Sequence, residues 1–405
     1  MGSALGRPKP NQKRNNLDDA VASDGDDGVR HAFPSDVLRE IFLRLPAKEL
    51  RRLRLVCRSW RSLASDPIFA ESHSRRHPIA IGLYRPWRHT IEDESISSYL
   101  FHEWPEIHFI DLTSGDVVKR ITTVPRRSFH LSVQLDYVCV SVFKSPSVVV
   151  DTATGEVANL GSRAVPKSPF ILGFVPSTGE LKVLLFRMDF DNIFFNGGGY
   201  VYAMTFDGDG GDYVWRELPR PGVPLELTSG NTAVVGGVAY FLLNLHYAKS
   251  GSEPDSIASF DLATEEWRLR IRGPVSSLIG GTEEKLSYYG HRRDFQLAEL
   301  NGSLAMVHCT SQHCLMEIWF LVDVDKGVWS RRYSIQCAPE WVHRRGQLYP
   351  VVVLDDGRVV IMSMLTESVI RIYDPRTRAW ANVMVSGEKY ADVYVCSHVG
   401  SLLWP

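Results

Sequence analysis

No apolar run in the 405-residue chain approaches the ~20 residues of a membrane-spanning helix. The opening residues, MGSALGRPKPNQKRNN, are polar and unlike a secretory signal. Neither a membrane partner nor export is expected. Cysteine is scarce, six residues at 57, 139, 309, 314, 337 and 396 with no C-x-x-C pair. That usage predicts reduced thiols in an intracellular protein, cytoplasmic and/or nuclear, rather than a disulfide framework. The chain also lacks a glycine-rich phosphate loop, an H-E-x-x-H pair, a G-x-S-x-G elbow and a dinucleotide-binding glycine pattern. The densest metal-like group is His308, Cys309, His313 and Cys314 on a predicted strand–turn–strand. Alternation along a strand sends neighbours to opposite faces, so four ligands do not converge there. No metal, no cofactor and no catalytic residue is expected. Asn301-Gly302-Ser303 reads as a turn.

What is present is an ordinary globular balance, 44% hydrophobic, 23% charged and 11% aromatic. The formal net charge of −2 hides a division along the chain. Residues 1–32 are balanced, residues 33–78 carry a net +5, and residues 79–405 carry a net −7. A short basic module thus precedes a large, mildly acidic one. A basic module suits nucleic acid or an acidic protein, and composition does not choose between them.

Residues 1–32 have no apolar period and read as a disordered leader. Residues 33–72 read as helical. Ser35 or Asp36 offers an N-cap. Val37, Leu38, Ile41, Phe42 and Leu45 then form one apolar stripe, which Pro46 stops. A second short helix carries Leu50 and Leu53. A third runs through Val56, Cys57, Trp60, Leu63 and Ala64 and ends before Asp66-Pro67. Three such helices make too little core to stand alone, so the module leans on a partner or on the next domain. Val37, Leu38, Val56 and Trp60 read mainly as packing residues. Pro34, Leu45, Pro46 and Leu50 sit at helix boundaries, better placed to face a partner.

The segment FPSDVLREIFLRLPAKELRRLRLVCRSWRSLASDPIFAESH resembles an F-box. The likeness rests on Phe33-Pro34, Asp36, Ile41, Leu45-Pro46, Lys48, Leu50, Val56-Cys57-Arg58, Trp60-Arg61, Leu63 and Pro67-Ile68-Phe69. Phe33 stands where Leu is commoner and keeps the apolar contact. The resemblance implies docking onto a SKP-type adaptor and, through it, onto a cullin scaffold of a ubiquitin ligase. The adaptor-binding residues it implies are Phe33, Pro34, Ile41, Leu45, Pro46, Leu50, Val56, Cys57 and Trp60. The arginines at 51, 52, 54, 58 and 61 suit an acidic adaptor surface and equally suit a solvated helix face.

From residue 79 onward a two-part unit recurs. A turn followed by a short apolar strand appears at 234–243, 299–308 and 354–363. An apolar strand, an Asp, a short turn and a Trp appear at 257–267, 318–329 and 370–380. More degenerate copies lie at 107–118, 149–157 and 201–215. Trp215, Trp267, Trp329 and Trp380 are spaced by 52, 62 and 51 residues. A period of ~50 predicts six or seven kelch-like blades of a closed β-propeller. The Asp before each turn is expected to bond the turn backbone, and the Trp to fill the space between blades. Residues 393–405 are expected to close the ring with a strand near 79–85. This region resembles the F-box-associated β domains of plant F-box proteins.

The fold class expected is therefore α+β multidomain. A three-helix F-box at 33–78 is followed at 79–405 by an all-β, propeller-like domain that recruits a substrate protein. The chain is expected to be the non-catalytic, substrate-recognising subunit of a SKP–cullin–F-box ligase. Arginine suits phosphate or carboxylate recognition. Arg126, Arg127, Arg292, Arg293, Arg344 and Arg345 are accordingly the candidates for substrate contact, with Arg331-Arg332 a further pair. Nucleic acid is not expected, because the β domain is acidic and carries no recognisable nucleic-acid module. Two alternatives remain: a scaffold bound to the adaptor without ligase activity, and an enzyme on a kelch-like propeller.

Overall fold

The computed structural model describes residues 34–84, 106–112, 115–122, 128–134, 137–142, 147–152, 154–161, 170–187, 200–206, 214–227, 230–244, 253, 255–275, 295–310, 313–343, 347–364, 368–386 and 390–396. The leader expected at 1–32 lies outside them. The chain opens with four helices: α1 (Ser35–Phe42), α2 (Ala47–Leu53), α3 (Arg58–Ala64) and α4 (Pro67–Arg76). Neither Ser35 nor Asp36 caps α1. Both lie inside its first turn, and Pro34 takes the cap position without a side-chain bond. The fourth helix departs from the three expected, because Asp66-Pro67 reads in sequence as a stop. It is a start: Asp66 accepts from the Ile68 N–H at 3.2 Å, and Pro67 occupies a position whose N–H has no helical partner to lose.

Leu38, Phe42, Leu43, Leu50 and Phe69 form the buried centre of this module, with Leu45, Leu53, Trp60 and Leu63 packed around it. An aromatic series runs through it. Phe42 meets Trp60 edge-on at 5.2 Å and Phe69 at 6.5 Å, Phe69 stacks on His73 at 6.0 Å, and His73 stacks on His77 at 4.4 Å. The two histidines tie α4 to the end of α1, donating from Nε2 to the carbonyls of Leu45 at 2.7 Å and Leu43 at 3.1 Å.

Six four-stranded antiparallel sheets follow. Blade 1 holds β1 (Ile79–Tyr84), β2 (Glu106–Asp111) and β3 (Val117–Ile121). Blade 2 holds β4 (Ser128–Gln134), β5 (Tyr137–Val142), β6 (Val148–Asp151) and β7 (Val157–Asn159). Blade 3 holds β8 (Phe170–Val175), β9 (Glu180–Arg187), β10 (Tyr200–Phe206) and β11 (Arg216–Leu218). Blade 4 holds β12 (Thr232–Val235), β13 (Val238–Leu242), β14 (Ile257–Asp261) and β15 (Glu266–Trp267). Blade 5 holds β16 (Phe295–Leu300), β17 (Ser303–Thr310), β18 (Leu315–Asp323) and β19 (Val328–Gln336). A short helix, α5 (Pro339–His343), then leads to blade 6: β20 (Gln347–Val353), β21 (Val359–Met364), β22 (Ser368–Asp374) and β23 (Ala379–Ser386). The last strand, β24 (Tyr390–Cys396), returns to blade 1 and pairs with β1 from Ile79↔Cys396 to Tyr84↔Tyr390. The propeller therefore has six blades. The C-terminal strand closes it as expected, leaving no open sheet edge between first and last blades.

Six apolar clusters fill the six seams between neighbouring blades. The recurring Trp clamps four of those seams. Trp215, Trp267, Trp329 and Trp380 donate from Nε1 to the carbonyls of Leu160, Pro219, Arg272 and Gln336, each on the preceding blade, at 2.8–3.3 Å. The Asp that opens each outer turn accepts from turn amides, as Asp151, Asp261, Asp323 and Asp374 show. Glu265, with a left-handed φ of 59°, adds a charged staple between blades 3 and 4. Its carboxylate takes Lys182 at 2.7 Å and both Nη atoms of Arg216. The Arg216 bond, helped by Lys182 against the opposing effect of burial, holds its pKa down to about 2.

The helical module joins the ring at β1. The Leu112 N–H, just past β2, donates to the Pro78 carbonyl at 3.1 Å. Arg76 reaches Glu40 of α1 at 3.2 Å and Asp355, in the turn between β20 and β21, at 3.9 Å.

Candidate functional site

The helical module carries an unusual share of the exposed apolar side chains. Val37 and Ile41 on α1, Leu55 and Val56 between α2 and α3, and Ile68 at the start of α4 are all exposed, Leu55 to 78% and Ile68 to 67%. Their positions follow from the local sequence. Leu38 and Phe42 take the inward stripe of α1, so Val37 and Ile41, one residue earlier in each case, turn outward. Leu55 and Val56 fall in the three-residue turn that reverses the chain before α3, where there is no inner face to join. Exposed apolar side chains gathered on a small module make it the candidate interaction surface.

Of the residues expected to bind an adaptor, Phe33 lies outside the described residues. Pro34, Ile41 and Val56 are exposed, and Leu45, Pro46, Cys57 and Trp60 are half-buried. Leu50 is fully enclosed at 0% exposure in the centre of the module, so it is a packing residue and not a surface contact. Val56 and Val37 depart from expectation in the opposite sense: they face solvent rather than the core. Leu55 and Ile68, both exposed, are not among the adaptor-binding residues expected from the sequence. Leu55 interrupts an arginine-rich stretch and follows no helical period, and Ile68 enters the sequence reading only within Pro67-Ile68-Phe69.

The module is also cationic at its surface. Arg44, Arg52, Arg58 and Arg61 are exposed, and Arg52 pairs with Glu49 at 2.8 Å. The Cys57 thiol lies 3.2 Å from the Ser59 hydroxyl, and that hydrogen bond holds it below the ordinary thiol range. Beneath the surface, burial pushes the His73 pKa down to about 4 against its bond to Leu45, and also lowers His77.

The arginine candidates on the propeller, Arg126, Arg127, Arg292, Arg293, Arg344 and Arg345, lie outside the described residues. Arg331 pairs with Glu317, and Arg332 lies over the Phe320 ring at 4.6 Å. Among the described residues no group of three or more His, Cys, Asp or Glu side chains is placed to hold a metal ion, and no helix is long and apolar enough to cross a membrane. Five cysteines, Cys57, Cys139, Cys309, Cys314 and Cys337, are free thiols.

Residues 31–72 match the F-box domain, and residues 108–400 match the F-box associated beta propeller domain. An F-box/kelch-repeat protein of Arabidopsis thaliana is 24% identical over 359 residues, covering 80% of this chain and 73% of the relative. An F-box protein of the same plant is 24% identical over 442 residues, covering 97% of this chain and 96% of its own. A second F-box/kelch-repeat protein of A. thaliana is 50% identical over 44 residues, 11% of this chain and 12% of the relative. Among solved structures, the dihydro-heme d1 dehydrogenase NirN aligns with a TM-score of 0.38 at 10% identity, over 74% of this chain and 65% of that one.

Proposed function

The chain belongs to the F-box proteins that carry an F-box-associated β-propeller domain, and from that premise we propose that it is the substrate-recognition subunit of a SKP–cullin–F-box ubiquitin ligase. The helical module, taken as 33–78, docks on a SKP-type adaptor that links it to a cullin. The propeller, taken as 79–405, holds a substrate protein beside the ubiquitin-loaded enzyme. The gain is effective concentration of the substrate lysines, and no residue of this chain acts as a catalyst. Such a subunit works in the cytoplasm, the nucleus or both.

The observation that carries the reading is the set of exposed apolar residues on the helical module. The adaptor contact assigned to it comprises Pro34, Val37, Ile41, Leu55, Val56 and Ile68, with Leu45, Pro46, Cys57 and Trp60 at its half-buried margin. The exposed arginines of the module speed encounter with an acidic adaptor. The enclosed aromatic series behind it holds the surface rigid, which lowers the entropy cost of docking.

Co-purification with a SKP-type adaptor and a cullin tests this. The intact chain is expected to bring down both, and an Ile41→Asp/Val56→Asp variant neither. Those two positions are exposed, so the variant stays folded. Recovery of the adaptor without a cullin would leave a scaffold role instead, and recovery of neither by a folded chain would refute the docking assignment.

A further inference from the structure

The seam between blades 5 and 6 encloses polar groups that no other described residue satisfies. Ala298 and Leu300 of β16 face this seam while Phe295 and Leu297 face blade 4, so Gln296 falls on the blade 6 side. Val359 and Ile361 of β21 face the same seam, which puts Ser363 there. Tyr373 of β22 does likewise, which puts Arg371 there. All three polar residues are at least nine-tenths buried: Gln296 is 4% exposed, Ser363 1% and Arg371 9%. Among the described residues, Gln296 Oε1, Ser363 Oγ, and Nε and Nη1 of Arg371 have no hydrogen-bond partner. Among the described residues no carboxylate pairs with Arg371.

These groups share one end of the seam. Ser363 pairs with Val369, two residues before Arg371, so the two sit diagonally across β21 and β22, within reach of a long side chain. Ser363 also pairs with Leu348 at the start of β20. Gln296 lies at the start of β16. Its neighbour Leu297 donates to the Gly230 carbonyl, and Gly230 abuts the Tyr349 ring of β20, so the starts of β16 and β20 are level. This end is opposite the Asp355 turn that meets Arg76, and therefore faces away from the helical module.

The roof is aromatic. The Arg371 guanidinium lies 4.1 Å from the centroid of the Trp341 ring on α5. Trp341 in turn meets Trp380 edge-on at 4.9 Å, and Trp380 packs on Tyr373 at 5.0 Å. The indole covers one face of the cation and leaves its N–H edges unmet. A bulge in β23, between Asn382 opposite Arg371 and Met384 opposite Ile370, breaks the ladder beside these groups. Burial pulls the Arg371 pKa down, with Glu340 opposing, yet a guanidinium keeps its charge at neutral pH. A buried, charged, unpaired guanidinium beside an unpaired hydroxyl is the donor set that a carboxylate or phosphate group satisfies.

We propose that this seam is an oxyanion site, in which a carboxylate or phosphate group, on a small molecule or on an acidic side chain of a bound polypeptide, sits on Arg371 and Ser363 beneath Trp341. Gln296 Oε1 is the acceptor for an N–H or O–H of the same ligand deeper in the seam. The site lies on the propeller alone and does not depend on adaptor docking.

Thermal unfolding of the full chain tests it, at constant ionic strength, with inorganic phosphate, succinate and a synthetic glutamate-rich peptide as probes and chloride as control. A saturable rise in Tm is expected with at least one probe and none with chloride. In Arg371→Met, which keeps the length and packing of the side chain, the apparent affinity is expected to fall at least about tenfold. Ser363→Ala, measured alongside, is expected to weaken the same probe and serves if the Met variant is insoluble. A response to phosphate or succinate places the anion on a small molecule, and a response to the peptide alone places it on a polypeptide. No saturable response to any probe in the natural chain, or an undiminished response in both variants, would overturn the proposal.

Discussion

His73 sits where protonation and the integrity of the helical module are coupled. It is 3% exposed, donates to the Leu45 carbonyl and stacks on His77. Burial holds its pKa near 4, while Asp111 of β2 favours its charged form and His77 and Arg76 oppose it. A histidine whose folded pKa lies below its unfolded value binds fewer protons when folded, so its contribution to stability is lost as pH falls from 6.5 toward 4. Between pH 7 and pH 5 this amounts to about 2 kcal/mol for His73. Hydrogen-exchange protection of α4 is expected to drop by that amount. His73→Gln, which keeps an N–H donor for Leu45, is expected to flatten most of the dependence. An unchanged pH profile in that variant would remove His73 from the explanation. Leu50 makes the complementary point. A Leu at a helix boundary reads the same in sequence whether it faces in or out; here it packs with Phe42 and Phe69, and only the packed module reveals that.

The outer hairpin of each blade is the element that explains the long repeat. In blades 4, 5 and 6 the Trp stands six residues after the Asp that closes the preceding strand: Asp261 to Trp267, Asp323 to Trp329, Asp374 to Trp380. The same count from Asp111 and Asp151 lands on Val117 and Val157, which is why the first two copies read as degenerate. Two residues before each of these positions the backbone turns left-handed, at Gly115, Gly155, Glu265, Gly327 and Arg378. Glu265 occupies such a position while pairing with Lys182 and Arg216 of the neighbouring blade. Because each Trp both fills a seam and donates one hydrogen bond across it, Trp267→Phe is expected to cost about 1–2 kcal/mol, read from denaturant unfolding. Retention of full stability would show that the bond to Pro219 adds nothing. The helix at 67–76 was hidden for a related reason, since Asp-Pro is a turn signal and a helix start alike, and the choice between them lies with Phe69 and His73 packing inward.

At the scale of the molecule, architecture was more legible than surface. The Asp-turn-Trp spacing announces a ring, because each unit repeats the same inter-blade contact, but the number of blades depends on how the degenerate copies pair. That β24 completes blade 1 settles it at six. The docking motif is legible residue by residue, whereas the outward set of Val37, Leu55, Val56 and Ile68 is a property of packing rather than of pattern. The oxyanion seam has no local motif at all, since Gln296, Ser363 and Arg371 come together only through alternation on three separate strands. The central claim is that the exposed apolar face of the helical module binds a SKP-type adaptor. Calorimetric titration of the purified full chain with purified adaptor tests it most directly, comparing the natural sequence with Val56→Asp. The expected result is one-to-one binding that weakens at least about tenfold in the variant, with unfolding behaviour unchanged. Equal affinity in the two chains, or no binding by the natural one, would contradict the account.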